Sequence, residues 1–172
     1  GLVNAGLWVP LPDMIKMLGP EAGERMIKDL GNAPSVVFDL IEKFGILCEP
    51  ERAGTLHMAH SAKGYADLSA RCEEWSKRFA PVEMFDRETT ISKTGTRAYH
   101  GAMLDRRAGT IQPLAYVRGL AHAALNAGAR LYTQSPAQSI SQGNDRWTIK
   151  TPKGTLSAER LFIATGGYGE GA

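Results

Sequence analysis

The chain has 172 residues, enough for one ordinary domain or for parts of two small ones. With 43% hydrophobic and 22% charged residues it can build a core, which excludes wholesale disorder. The net charge of +2 is carried by bases interspersed with acids, as in Glu24, Arg25, Lys28 and Asp29. That argues against a nucleic-acid surface, and no apolar run is long enough to span a bilayer.

Residues 1–18 are apolar and rich in loop formers. Pro10 and Pro12 are expected to stop any regular element there, and the small Gly1, Asn4, Ala5 and Gly6 let the backbone lie close to a ligand or another segment. A helix is predicted after Gly19 and Pro20, with Glu21 and Glu24 in its first turn. Met26, Ile27, Leu30, Val37, Leu40, Ile41 and Phe44 recur at a helical period, and Gly45 suits a C-terminal cap. Pro34 predicts a kink, or two helices meeting near Gly31.

Residues 53–60 read as a strand with Leu56 and Met58 on one face and His57 and Ala59 on the other. A second helix is expected over about 62–79, its inner side formed by Tyr65, Leu68, Cys72, Trp75 and Phe79. Residues 82–90 read as a short strand and loop, and 97–104 as another strand. Asp105, Arg106 and Arg107 read as a solvated turn, although an Arg there could pair a substrate carboxylate.

From Thr110 the pattern sharpens. Pro113 suits the first turn of a helix whose stripe is Leu114, Val117, Leu120, Ala121, Ala124 and Leu125, closing at Gly128. Short strands are predicted at 129–133, 137–141, 146–151 and 156–157, with a turn at 152–154. A buried strand at 160–165 runs into Gly166 and Gly167. Small residues at a strand end let a phosphate or ring approach the backbone, and in open α/β sheets ligands sit at the carboxyl ends of strands. The fold class expected is α/β, or mixed α+β.

Gly109-Thr-Ile-Gln-Pro-Leu-Ala-Tyr-Val-Arg-Gly-Leu-Ala-His-Ala-Ala, then Asn126-Ala-Gly-Ala-Arg-Leu-Tyr, Ser135-Pro-Ala, Trp147, Gly154 and Phe162-Ile-Ala-Thr-Gly-Gly-Tyr together resemble the D-amino-acid-oxidase-type flavoprotein family. Within it, the gamma-glutamylputrescine oxidoreductase group is the most similar. The opening Gly1-Leu-Val-Asn-Ala-Gly-Leu-Trp is similar to the segment just after the family's Ser-Gly-Arg-Asn-Gly-Gly motif, and Gly54-Thr-Leu and Tyr99-His-Gly-Ala-Met-Leu-Asp also fit. The family's Gly-x-Gly-x-x-Gly strand–turn–helix and its C-terminal segment have no counterpart here, so the resemblance implies an internal piece of a longer chain.

The fold so implied is an incomplete FAD-binding, Rossmann-like domain with part of a substrate domain. Residues 1–18 would lie near the flavin, 19–109 in the substrate domain and 110–172 in the second portion of the FAD-binding domain. The resemblance places Gly1, Leu2, Val3, Asn4 and Ala5 near the pyrophosphate and flavin ring, Ala137 on the adenine side, and Thr165, Gly166 and Gly167 near the pyrophosphate and ribose. Trp8, Tyr99 and His100 are the side chains nominated for the substrate pocket. The function implied is oxidation of a C–N bond of an amine or amino acid by hydride transfer to FAD.

The other reading is a folded chain without catalysis, at most a weak ligand-binding or self-associating module. On either reading the chain by itself is expected to be colourless, because the family's main phosphate-binding amides belong to the strand–turn–helix. His57 and His60 fall on opposite faces of a strand and cannot chelate together, so no metal site is expected. Cys48 and Cys72 read as reduced thiols, which fits a cytoplasmic setting. Gly167-Tyr-Gly169-Glu-Gly-Ala172 formally matches a dinucleotide fingerprint but lacks the subsequent helix and acid that such a site needs.

Overall fold

A computed structural model describes residues 1–7 and 9–166 of the chain. Trp8, Gly167 and the 167–172 fingerprint therefore lie outside the described residues. Residue contacts divide the chain into two units, Gly1–Ala127 and Gly128–Ala172.

The first unit begins with β1 (Leu2–Val3), which pairs antiparallel with β5 (Gly109–Thr110) in the register Leu2 with Thr110 and Val3 with Gly109. On its other side Thr110 exchanges backbone hydrogen bonds with Glu51 at 2.8 and 2.9 Å. Gly109 must be small, since a Cβ there would meet the Glu51 carbonyl and come within 2.7 Å of the Phe38 ring.

Helix α1 (Leu11–Leu18) corrects the expectation that Pro10 and Pro12 leave 1–18 irregular. Pro12 falls in the first turn, where no intrahelical N–H is needed. Leu11 and Met14 are buried by it. Helix α2 (Pro20–Phe44) is one 25-residue helix that continues through Pro34, not two. It ends at Gly45, whose left-handed φ of 60° is the usual glycine C-cap, and the next residue, Ile46, donates back to the Ile41 carbonyl at 2.9 Å.

The persistence of α2 has a local cause. Pro34 has no N–H to offer the carbonyl of Leu30, four residues earlier, and that carbonyl would be left without a partner. The Gly6 N–H donates to it instead, at 3.0 Å. A defect in the helix thus becomes an anchoring point for the N-terminal loop.

A three-stranded antiparallel sheet has the order β2 (Thr55–Ala59), β4 (Gly101–Asp105), β3 (Val82–Phe85). Direct pairs put Thr55, His57, Met103 and Asp105 on one face, with Ala102, Leu104 and Phe85 on the other. Helix α3 (Ala62–Ser76) covers the first face: a Cβ on Gly101 would collide with the Tyr65 ring. Helix α4 (Arg87–Thr94) covers the second, where Lys93 stands 4.9 Å over the Phe85 ring.

Several expectations shift in this region. Helix α3 stops at Ser76, and Phe79 takes a φ of 58° and is 96% exposed, so it leaves the core face. Helix α4 replaces the predicted loop. Asp86 caps it by accepting from the Thr89 N–H at 2.8 Å, and Gly95 closes it. Strand β4 starts at Gly101, later than predicted.

Helix α5 (Pro113–Asn126) starts at Pro113 as expected, but its expected face packs only in part. Ala115, Tyr116 and Leu120 lie against the cluster of Val3, Phe38, Ile41, Ile46 and Cys48. Leu114, Val117 and Leu125 are exposed. The small Gly119 lets α5 approach Ile46, which a Cβ there would strike. A second cluster, Leu11, Met14, Ile27 and Trp75, joins α1, α2 and α3. Each such side chain, once buried, contributes about 1.5–3 kcal/mol.

The second unit holds the meander β6 (Ser139–Gln142), β7 (Trp147–Thr151) and β8 (Gly154–Ala158), with a tight turn at 152–153. The strands predicted at 129–133 and 160–165 do not form. Both segments lack a hydrogen-bonding strand neighbour among the described residues, and Leu131, Phe162 and Ile163 are exposed rather than buried.

Candidate functional site

The N-terminal loop is fixed at three places. Its strand pairs with β5, Val3 and Ala5 are buried, and Gly6 is tied to Leu30. Gly6 has a φ of 78°, and a Cβ on it would come within 2.8 Å of the Trp75 ring. Only glycine satisfies both the backbone angle and the contact. Between the anchored residues sits Asn4, whose side-chain Oδ1 is buried and has no hydrogen-bond partner among the described residues. A buried amide oxygen left unbonded costs about 1–3 kcal/mol, which a donor from outside the described residues would recover.

Behind this loop lies a buried charged cluster. Asp105 is 1% exposed and accepts from the Arg107 backbone N–H at 3.0 Å and from two nitrogens of its guanidinium at 2.9 and 2.6 Å. The guanidinium stacks 4.1 Å from the centre of the Trp75 ring. Gly31 of α2 leaves room for the pair, since a Cβ there would come within 3.1 Å of both. The solvated turn expected at 105–107 is therefore a buried brace, because Asp105 points to the α3 side of the sheet. Arg106 alone faces solvent, paired with Glu83 at 2.8 Å.

Burial lowers the pKa of His57, the nearby Arg71 lowers it further, and Asp105 opposes both. Burial also lowers the pKa of Arg71, an effect opposed by Asp105. The thiols of Cys48 and Cys72 are both buried and pushed above the usual cysteine range by that burial. Neither is set up as a nucleophile.

The nominated side chains fall in separate places. Gly1, Leu2, Val3, Asn4 and Ala5 form the anchored loop, with Leu2 exposed and Val3 buried. Tyr99 and His100 precede the Gly101 end of β4, whereas β1 pairs just beyond its Asp105 end. Tyr99 packs edge-on against His60, with ring centroids 5.0 Å apart. His100 is held by its backbone N–H, which donates to Ala59 at 2.8 Å, and its imidazole is exposed. In the second unit Ala137, Thr165 and Gly166 are exposed, and Gly166 has a φ of 61° with open space around its α-carbon.

Sequence reasoning missed the Trp75–Arg107–Asp105 brace and the Gly6–Leu30 bond. The second had a readable signal. A proline inside a helical pattern always leaves the carbonyl four residues earlier in want of a donor.

Comparison with known proteins adds family evidence. The family described as FAD dependent oxidoreductase matches residues 2–172. The chain is 33% identical over 170 residues to a probable oxidoreductase OrdL of Rhizobium meliloti (strain 1021), covering 98% of this chain and 40% of that protein. It is 29% identical over 135 residues to the gamma-glutamylputrescine oxidoreductase of Escherichia coli (strain K12), covering 77% of this chain and 31% of the relative. Among solved structures, glycine oxidase from Geobacillus kaustophilus superposes with a TM-score of 0.65 at 22% identity, over 90% of this chain and 39% of that one. L-proline dehydrogenase from P. horikoshii gives 0.63 at 16% identity, over 73% and 35%. At those identities the likeness speaks for the fold, which is mixed α/β. The chain spans about 40% of the length of the first curated relative.

Proposed function

The chain belongs to the FAD dependent oxidoreductase family, and on that premise we propose that the protein it forms part of oxidises the C–N bond of an amine or amino acid. When bound, FAD supplies the hydride acceptor that this chemistry needs. The names of the relatives support the substrate class: one is a gamma-glutamylputrescine oxidoreductase and another a glycine oxidase.

The observation that carries the reading is the anchored loop with its unsatisfied Asn4 Oδ1. That acceptor would take a hydrogen bond from a donor on the flavin or on its ribityl chain. Backbone from Gly1 to Ala5 would lie beside the pyrophosphate and flavin ring, and the Trp75–Arg107–Asp105 brace would hold the Trp75 ring against Gly6 at the end of the loop. Ala137, Thr165, Gly166 and Gly167 would supply backbone contacts to the nucleotide half. Residues 19–109 would then contribute to the substrate domain and 110–172 to the FAD-binding domain, with Trp8, Tyr99 and His100 as pocket side chains that orient substrate and exclude water.

The test is an anaerobic titration of the full-length protein with amines and amino acids, followed through the visible absorption of oxidised flavin. Bleaching by at least one amine or amino acid, with release of the imine or its hydrolysis product, is expected. Bleaching by dithionite but by no amine or amino acid would overturn the substrate class.

A further inference from the structure

The inner stripe of α3 carries Leu68, Cys72 and Trp75 at helical spacing, and Arg71 stands within it, half-buried. A guanidinium in such a place is normally paired. None of the ion pairs among the described residues involves Arg71. The buried anion Asp105 gives both carboxylate oxygens to Arg107. Arg71 is therefore left without a carboxylate partner among the described residues.

Arg71 also lines a cavity of about 540 Å³ whose walls include Leu7, Pro10, Leu11, Leu68 and Trp75. Two acids share the lining. Glu74 is taken by Lys77 at 2.7 Å and Arg78 at 3.3 Å. Asp67, one turn before Arg71 on α3, is exposed and forms no ion pair among the described residues. The cavity has the volume of a small-molecule site, its lining is mostly apolar, and Arg71 is the one cation on its walls among the described residues.

We propose that Arg71 and this cavity bind a small organic carboxylate with an apolar body. The carboxylate would accept two N–H bonds from the Arg71 fork, giving that guanidinium the partner it lacks among the described residues, while the body packs on Leu68 and Trp75. The proposal goes beyond the oxidation reading and does not depend on FAD.

The experiment is calorimetric titration of the full-length protein with sodium 3-phenylpropionate, with circular dichroism to confirm that each variant is folded. Saturable one-to-one binding is expected. The isosteric alcohol 3-phenylpropanol should bind roughly tenfold or more weakly, the loss of one charge-assisted contact. Arg71→Gln should weaken the acid by a similar factor, and Leu68→Trp, which fills the cavity but keeps Arg71, should abolish binding. Should Arg71→Gln fail to fold, the acid–alcohol pair and Leu68→Trp still decide the matter. Equal binding of acid and alcohol, unchanged binding in folded Arg71→Gln or Leu68→Trp, or no binding at millimolar acid would each overturn the proposal.

Discussion

Gly6 shows how much one residue can be asked to do. Its φ of 78° suits glycine, its N–H serves the carbonyl freed by Pro34, and its lack of a Cβ leaves room for the Trp75 ring. Gly6→Ala should therefore destabilise the chain by about 1–3 kcal/mol, through backbone strain plus the clash. Gly45→Ala is the comparison. That glycine is also left-handed, at 60°, but has open space around its α-carbon, so only strain should count. Denaturant unfolding of the two variants checks this, and equal losses would remove the Trp75 contact from the explanation.

His57 makes a pH prediction at the same scale. Its folded pKa lies below the ordinary imidazole value of about 6.5, chiefly through burial and then through Arg71. As pH falls through that value the unfolded chain takes up a proton that the folded chain resists, so stability is lost on the acid side. His57→Gln should lose less stability than the parent between about pH 7.5 and pH 5.5, read from urea midpoints with unchanged slope. A larger loss in the variant would reverse the assigned sign.

At the scale of elements, local chemistry was legible where it sat in the sequence, and partner-dependent structure was not. The caps of α2 and the start of α5 at Pro113 follow from residues that act on their own backbone. The caps of α4, Asp86 and Gly95, were equally local, but its polar composition hid the helix between them. Helix α5 was placed correctly and its face only in part: Leu120 packs as expected, whereas Leu114, Val117 and Leu125 are exposed. Its larger apolar residues mark one stripe, whereas packing selects the face with Ala115, Gly119 and Leu120, where small side chains permit close approach to Ile46. The apolar segments 129–133 and 160–165 read as strands from composition, but a strand exists only when a neighbour accepts its hydrogen bonds. Asp105 and Arg107 read as solvent-facing because charge in sequence says nothing of burial, and it is the pairing with β2 and β3 that turns Asp105 inward.

At the scale of the whole molecule, the described residues carry one anchored loop and two separate nominations. The loop residues Gly1 to Ala5 were reached through resemblance, and their backbone is the part with a physical reason to be rigid. Tyr99 and His100 lie near the far end of β4, so their role in a pocket rests on the resemblance alone. The central claim is that the anchored loop helps to hold FAD through Asn4. It is tested most directly by the FAD affinity of the full-length protein, measured by flavin fluorescence quenching for the parent, for Asn4→Ala and for Thr55→Val. Thr55 Oγ1 is the other buried polar atom without a partner among the described residues, but it lies on β2 beside Asp105. The account predicts that Asn4→Ala weakens FAD roughly tenfold, the value of one well-placed hydrogen bond, while Thr55→Val leaves it unchanged. Unchanged FAD affinity in a folded Asn4→Ala protein would contradict it.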